Sequence, residues 1–236
     1  MKKQTILITG GAKRIGAAIV KHFAKNDCNI IINYLNSEKE VVQLAEHIKK
    51  NDVNPIPYKT DVTNVGEVAN MFMYAKKEFG GVDILINNAG IFPPKQPLEK
   101  LKYSDYFSTL NLNMNAAIIT AKELVNSGVS NARIINIGSI GGTKIFKNHI
   151  DYNLSKTGLI RLTQILAKEL SPSISVNCIC PGIVQIDNEN INFPMKNIPM
   201  QRFAKTDDII AAVDFFANGP SYITGQVLHI SGGMEL

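Results

Sequence analysis

No stretch of the sequence reaches the roughly 18 apolar residues that a membrane span requires, so no transmembrane segment is expected. The apolar run after Lys2 and Lys3 is cut short by Gly10 and Gly11, which argues against a signal peptide. Cysteine is scarce: Cys28, Cys178 and Cys180 are the only three. They offer no disulfide framework, and a Cys-x-Cys without nearby histidine or further cysteine makes a poor metal site, so no metal is expected. Reduced, buried thiols in a cytoplasmic protein are the reading that fits. Charge of neither sign is concentrated. The 25 basic and 20 acidic residues leave a net +5, with lysines scattered over helical stretches. That describes a solvated surface rather than a nucleic-acid-binding face, and it stays compatible with small anionic ligands. Internal repeats, low-complexity tracts and linkers are also missing, so residues 1–236 read as one domain.

What is present is an alternation. Hydrophobic residues make up 45% of the chain, enough for a substantial core. Short apolar runs at Thr5–Thr9, Asn29–Asn33, Asn54–Lys59, Val82–Asn87, Ala132–Ile137, Ser173–Ile179 and Gln226–Ile230 predict strands. Helical patterns between them cover Ile15–Lys25, Glu38–Lys50, Val65–Phe79, Ser104–Val125, Tyr152–Leu170 and Asp207–Ala217. The strands mostly lack polar alternation, as expected when helices cover both sheet faces. Strand–helix–strand repetition implies right-handed crossovers. The fold class is therefore α/β: a single-domain, Rossmann-type, doubly wound parallel sheet of about seven strands. Thr206 before Asp207 and Asp208 predicts a hydroxyl-capped helix start, and Ser171-Pro172 closes the preceding helix. The span 183–205 breaks the rhythm, with Asn188, Asn190, Asn192, Asn197 and prolines at 194 and 199. Its Ile191, Phe193, Met195 and Met200 predict a substrate lid that folds over something apolar.

Several motifs carry chemistry. In "TILITGGAKRIG" a strand runs into a turn holding Gly10, Gly11 and Gly16, where backbone N–H groups at a helix start can receive a diphosphate. NAD-binding turns place a carboxylate about 20 residues on, at the end of the second strand. Here that strand ends in Asn33 and Tyr34, with no carboxylate until Glu38. A ribose 2′-phosphate would meet no fixed anion, and could meet Lys13, Arg14, Asn36 or Ser37, which selects NADP(H) by charge-assisted hydrogen bonds. In "YNLSK", Tyr152 and Lys156 share one helix face. A neighbouring ammonium stabilises phenolate, so the tyrosine pKa is expected to fall towards neutrality and suit acid–base work. Ser139, directly after an apolar strand, lies where doubly wound sheets bind ligands.

Taken together, "TGGAKRIG", Asp61-Val62, "NNAG" at Asn87–Gly90, Asn113 in "NLNMNAA", Ser139, Tyr152/Lys156, Pro181-Gly182 and the ending "YITGQVLHISGG" resemble the short-chain dehydrogenase/reductase family over the whole chain. The resemblance implies a catalytic tetrad of Asn113, Ser139, Tyr152 and Lys156. In it, tyrosine protonates a carbonyl oxygen, serine hydrogen-bonds it, lysine lowers the tyrosine pKa and binds the nicotinamide ribose, and asparagine holds a relay water. It also implies cofactor contacts from Gly10, Lys13, Arg14 and Ile15, from Asp61 and Val62 around the adenine, from Asn88, Ala89 and Gly90 along the cofactor's path, and from Pro181, Gly182 and Val184. Three positions depart from the family pattern: Arg14 replaces a glycine, as in its pteridine-reductase branch, Ile186 stands where a threonine is common, and Ser231 replaces an aspartate.

The leading expectation is an NADPH-dependent carbonyl reductase similar to 3-oxoacyl-(acyl-carrier-protein) reductases. Its substrate would be a small carbonyl compound, carried or not by acyl-carrier protein. The family also implies a homotetramer built through the helices at Ser104–Val125 and Tyr152–Leu170. Arg14, together with Phe92 as a ring that could stack on a pterin, supports a pteridine reductase as the alternative. A non-catalytic NADP(H)-binding sensor is the alternative of another class. His149 reads as a packed or solvated loop residue.

Overall fold

The computed structural model describes residues 3–24, 27–49, 53–186 and 189–236. Lys2, Lys25, Lys50 and Asn188, which figure in the expectations above, lie outside these ranges. Seven strands form one sheet: β1 Gln4–Ile8, β2 Cys28–Tyr34, β3 Asn54–Lys59, β4 Ile84–Asn87, β5 Ala132–Ile137, β6 Ile174–Pro181 and β7 Val227–Ile230. Their order is β3-β2-β1-β4-β5-β6-β7, and all six pairings are parallel. The order reverses between β1 and β4, which opens a crevice at the carboxyl ends of those two strands.

The helices are α1 Arg14–Phe23, α2 Glu38–Ile48, α3 Val65–Phe79, α4 Tyr103–Leu110, α5 Ala116–Asn126, α6 Ile150–Leu170 and α7 Thr206–Asn218. They cover the sheet on both sides, which is why its strands carry isoleucine on successive residues. Ile6, Ile8, Ile30 and Ile32 pack with Ile19 of α1, Val41 of α2 and Phe216 of α7. The intervening Leu7, Ile31 and Leu85 pack with Met71 of α3, Leu124 of α5 and Ala167 of α6 on the opposite face. Among the described residues no helix is long and apolar enough to cross a membrane, and no group of three His, Cys, Asp or Glu side chains could hold a metal.

Two local expectations change. The helix predicted over Ser104–Val125 is three pieces, because a single π turn at Asn111–Asn115 separates α4 from α5. Such wide turns occur where a helix must re-aim a side chain, and Asn113 lies in this one. At the start of α7, Thr206 is not the cap. Lys205 is the boundary residue, and its N–H donates to the Asp208 carboxylate at 2.7 Å. The carboxylate wins because it also complements the positive end of the helix.

Ile31 is fully buried between β1, β3 and the α3 layer. Ile31→Ala should cost about 3 kcal/mol of unfolding free energy. Chemical denaturation would show this as a lower midpoint at unchanged slope.

Candidate active site

The turn after β1 is held by side chains from two neighbouring strands. Gly10 adopts φ +60, and a Cβ there would lie 3.0 Å from the Ala89 Cα. At Gly16 a Cβ would strike the Gly10 carbonyl, so only glycine lets α1 start so close to the turn. The Asn88 amide donates to the carbonyls of Thr9 (2.9 Å) and Gly10 (3.0 Å). The Thr9 hydroxyl accepts from the N–H groups of Asn88 and Ala89 at 2.9 and 3.0 Å. Asn33 accepts from the Gly10 N–H at 3.2 Å and donates to the Thr60 carbonyl at 2.9 Å. Asn33 is buried and committed to backbone, and Tyr34, the last residue of β2, belongs to the core. Both lie there because β3 continues the sheet beyond β2 and closes that edge.

Lys13 and Arg14 lie at the mouth of the turn, and each has an exposed acidic partner. Lys13 Nζ pairs with Glu40 at 2.7 Å, since α2 swings its first turn over the groove, and Arg14 pairs with Glu189 of the 183–205 segment. Both pairs are well exposed and screened by solvent, so each gives way readily to a stronger anion. Arg14 holds φ +54, a left-handed conformation natural to the glycine it replaces. Ser37 is the boundary residue of α2 and makes no capping bond. Asp61 accepts from the backbone and hydroxyl of Thr63 at 2.9 and 2.7 Å, and Val62 is buried.

Further along the crevice, Ser139 follows β5 in extended conformation and accepts from the Gly141 N–H at 3.0 Å. Tyr152 and Lys156 sit in the first two turns of α6, both nearly buried. Both open into one groove of about 380 Å³, which also runs along Gly10, Arg14, Ile15 and Gly90. Lys156 Nζ donates to the Ile137 carbonyl at 2.9 Å, and burial brings its pKa down to about 8. Tyr152 is pushed up by burial, while the Ser139 hydroxyl pulls it partly back. The expected lowering by the ammonium thus does not occur: loss of solvent dominates, and the opposing pull comes from Ser139 rather than from Lys156. A phenol in this state keeps its proton at neutral pH, as an acid should.

Asn113 is buried, and its amide is fully engaged. It accepts from the Ile91 N–H at 2.8 Å and donates to the Ile91 carbonyl at 2.9 Å and to Ser155 at 3.2 Å. It ties the loop after β4 to α6. Pro181 ends β6, Gly182 donates to the Ile230 carbonyl at 2.9 Å, and Val184 bridges to Ala204 at the base of the irregular segment.

Sequence reading missed two groups of residues here. Asp151 is buried, accepting from the Tyr152 N–H at 2.8 Å and the Thr109 hydroxyl at 3.0 Å, so it locks α4 to the start of α6. An acidic residue in a first helical turn was the available signal. The other group is an aromatic cluster. Phe92 stacks on His149 with centroids 4.5 Å apart and meets Tyr152 edge-on at 4.6 Å, and Phe146 lies parallel to Tyr152 at 6.4 Å. Burial, then Lys95, holds His149 below its usual value, which keeps the ring uncharged against Phe92. Phe146 and His149 precede Tyr152 at three-residue intervals at the start of α6, but no sequence spacing brings Phe92, from the loop after β4, among them.

A family model described as enoyl-(acyl carrier protein) reductase matches residues 10–235. The 3-oxoacyl-(acyl-carrier-protein) reductase FabG of Buchnera aphidicola is 32% identical, covering 99% of this chain and 98% of its own. The chain belongs to the short-chain dehydrogenase/reductase family. It is an oxidoreductase of that family, and its whole length is shared with relatives. The 3-oxoacyl-(acyl-carrier-protein) reductase of Synechocystis is 30% identical over 99% of the chain and 97% of its own. Among solved structures, a short chain dehydrogenase from Burkholderia cenocepacia in complex with NADP has a TM-score of 0.91 at 32% identity, covering 100% of this chain and 99% of that one. A metagenomic blue fluorescent protein in complex with NADPH matches with a TM-score of 0.91 at 28% identity, covering 99% and 98%.

Arg14→Gly relieves the left-handed conformation and gives up one exposed ion pair. The net effect should be a gain of roughly 0.5–1 kcal/mol in unfolding free energy, read as a higher denaturant midpoint. A lower midpoint would show that the bond to Glu189 outweighs the backbone strain.

Proposed function

We propose that this chain is an NADPH-dependent carbonyl reductase whose substrate is a 3-oxoacyl thioester, on acyl-carrier protein or a related carrier. One observation carries the reading: Tyr152 and Lys156 open into the same groove as the Gly10–Gly16 turn. The full-length relatives named for that reaction support the substrate class. The residues present suit the dinucleotide. The glycine turn leaves no room for a Cβ at Gly10 or Gly16, which keeps backbone at the surface for a diphosphate. Lys13 and Arg14 offer exchangeable cations to a 2′-phosphate, with Ser37 beside them. Asp61, Val62 and Asn88–Gly90 would border the adenosine and the path inward. Residues 1–236 act as one domain, with 183–205 as the lid.

When bound, NADPH supplies the hydride that reaches the substrate carbonyl carbon. Tyr152 gives its phenolic proton to the carbonyl oxygen, and the Ser139 hydroxyl donates a hydrogen bond to that oxygen, so developing charge meets two preorganised donors. Lys156, protonated at neutral pH, stabilises the phenolate that Tyr152 leaves behind and holds the nicotinamide ribose. Asn113 keeps the Ile91 loop in register with α6, and so fixes the mouth of the groove. Phe92 lines that mouth and meets Phe146 edge-on, and Phe146, Ile191 and Phe193 pack on the neighbouring Ile140, Ile198, Phe203 and Met234 cluster, an apolar surround suited to an acyl chain. A dihydropterin is the second candidate substrate, favoured by the exposed face of the Phe92 ring. The exposed Tyr103, Phe107, Ile118, Leu154 and Ile165 on α4, α5 and α6 support assembly into a homotetramer through those helices.

The test is consumption of NADPH, followed by absorbance, with β-ketoacyl thioesters, dihydropterins and quinones. Turnover with the thioesters is expected, whereas NADPH binding without consumption by any of them would favour a sensor. Tyr152→Phe should abolish turnover and leave NADPH binding intact, and undiminished activity would defeat the mechanism. The double variant Lys13→Ala/Arg14→Gly should erode the preference for NADPH over NADH by at least ~1 kcal/mol, about fivefold. An unaltered ratio of kcat/KM values would place the 2′-phosphate elsewhere.

A further inference from the structure

The segment after β7, residues 231–236, takes no part in hydride or proton transfer, yet three parts of the site's surround meet on it. Gly232 and Gly233 both hold left-handed conformations, φ +64 and +86, which turn the chain back across the lid. A Cβ on Gly232 would lie 2.9 Å from Ile198, and one on Gly233 3.1 Å from Pro199. The Gly232 carbonyl accepts from the Met200 N–H at 3.1 Å. Met234 then enters a buried apolar cluster with Ile198 and Phe203 of the lid and with Ile140, the residue after Ser139.

Glu235 makes the polar half of this junction. One oxygen, Oε1, accepts from the Thr143 hydroxyl at 2.7 Å and lies 3.0 Å from Nε2 of His229 on β7. A carboxylate only accepts, so in this largely covered position it gathers donors from two separate elements. Lys144 Nζ donates to the neighbouring Met234 carbonyl. Thr143 and Lys144 close the turn that holds Ser139, for their N–H groups donate to the Ile140 carbonyl at 3.1 and 2.7 Å. On its other side the turn is tied to α6, where the Thr157 hydroxyl donates to the Gly142 carbonyl at 2.8 Å. Two adjacent residues thus hold the lid through apolar packing and the serine turn through hydrogen bonds.

We propose that Met234 and Glu235 are positioning residues for the reductase site, a two-residue clamp that sets the lid and the Ser139 turn in one register. Side-chain chemistry divides the work. The unbranched thioether chain of Met234 fills the space between lid and turn without demanding one shape. Glu235 supplies direction, because its bond to Thr143 fixes the turn relative to the end of the sheet. The Ser139 hydroxyl must meet the same carbonyl oxygen that Tyr152 protonates, and a misplacement of about 1 Å at such a site costs about 10²-fold in rate. An acyl chain seated among Phe146, Ile191 and Phe193 borders the same cluster, so its seat and the serine turn are set together.

The clamp rests on the reductase reading, but its first test does not need turnover. Amide hydrogen exchange of the ligand-free protein reads Thr143 and Lys144 in the serine turn and Ile198 and Ala204 in the lid, all four bonded to backbone carbonyls. Among the described residues Glu235 has no hydrogen bond to the lid. Glu235→Ala should nevertheless speed exchange at least about fivefold at all four amides, and Met234→Ala should do the same. Thr143→Val removes the same bond from the other side, and it carries the test if the alanine variants do not fold. In turnover, Glu235→Ala should lower kcat about tenfold while NADPH binding holds. Glu235→Gln, which keeps a carbonyl oxygen for Thr143, should recover most of that loss. Faster exchange confined to Thr143 and Lys144 would overturn the proposal and leave Glu235 a local brace. An unchanged kcat in a variant whose four amides all quicken would overturn it too. Coupled amides in a protein that reduces no carbonyl compound would keep the clamp and sink only the reductase reading.

Discussion

Lys156 carries its charge into a nearly buried position at the side of the groove, where its ammonium donates to the Ile137 carbonyl. Burying an ammonium this way costs several kcal/mol unless the surroundings compensate. The site is arranged around that cost. The end of β5 supplies the carbonyl, and the π turn before α5 brings Asn113 into position to hold the Gly90 wall beside the ammonium. Tyr152, one turn earlier on the same helix, inherits the same dry environment and keeps its proton. A proton donor and a cation are thereby held side by side without neutralising each other.

This arrangement needs a rigid sheet end, and a buried polar chain provides it. Thr120 of α5 donates to Asn87 of β4 at 2.8 Å, Asn87 to Asn136 of β5 at 2.9 Å, and Asn136 to Thr163 of α6 at 2.9 Å. Every link is satisfied, so the chain adds specificity without leaving orphaned groups. It pins the helices that carry the reacting side chains to the strands that frame the groove.

The phosphate end is built on weaker forces. Exposed pairs to Glu40 and Glu189 occupy the cations that a nucleotide phosphate would claim, and their small energies let them exchange. Arg14 adds backbone strain, which persists where the surroundings over-determine it. One end of the groove is therefore dry and fixed, the other wet and adaptable, which suits a ligand that is held by its phosphates and reacts at its ring.

The parallel sheet, both helix layers and the order of the motifs were legible because each is written in short-range terms. Isoleucine on successive residues marks a strand covered on both faces, glycines mark the turn, and a four-residue spacing sets Tyr152 and Lys156 on one helix face. The seven strands lie within a few residues of their predicted positions for that reason. Only the tertiary structure decided which side chains are free to act. Asn33 is spent on the Gly10 turn, Glu40 reaches Lys13 from the next helix, and burial raises Tyr152 where the lysine alone would lower it. The place of Phe92 in the aromatic cluster was equally hidden from the sequence. Solvation and long-range contact depend on what the remaining layers bring within a few ångströms, and no local pattern encodes that distance.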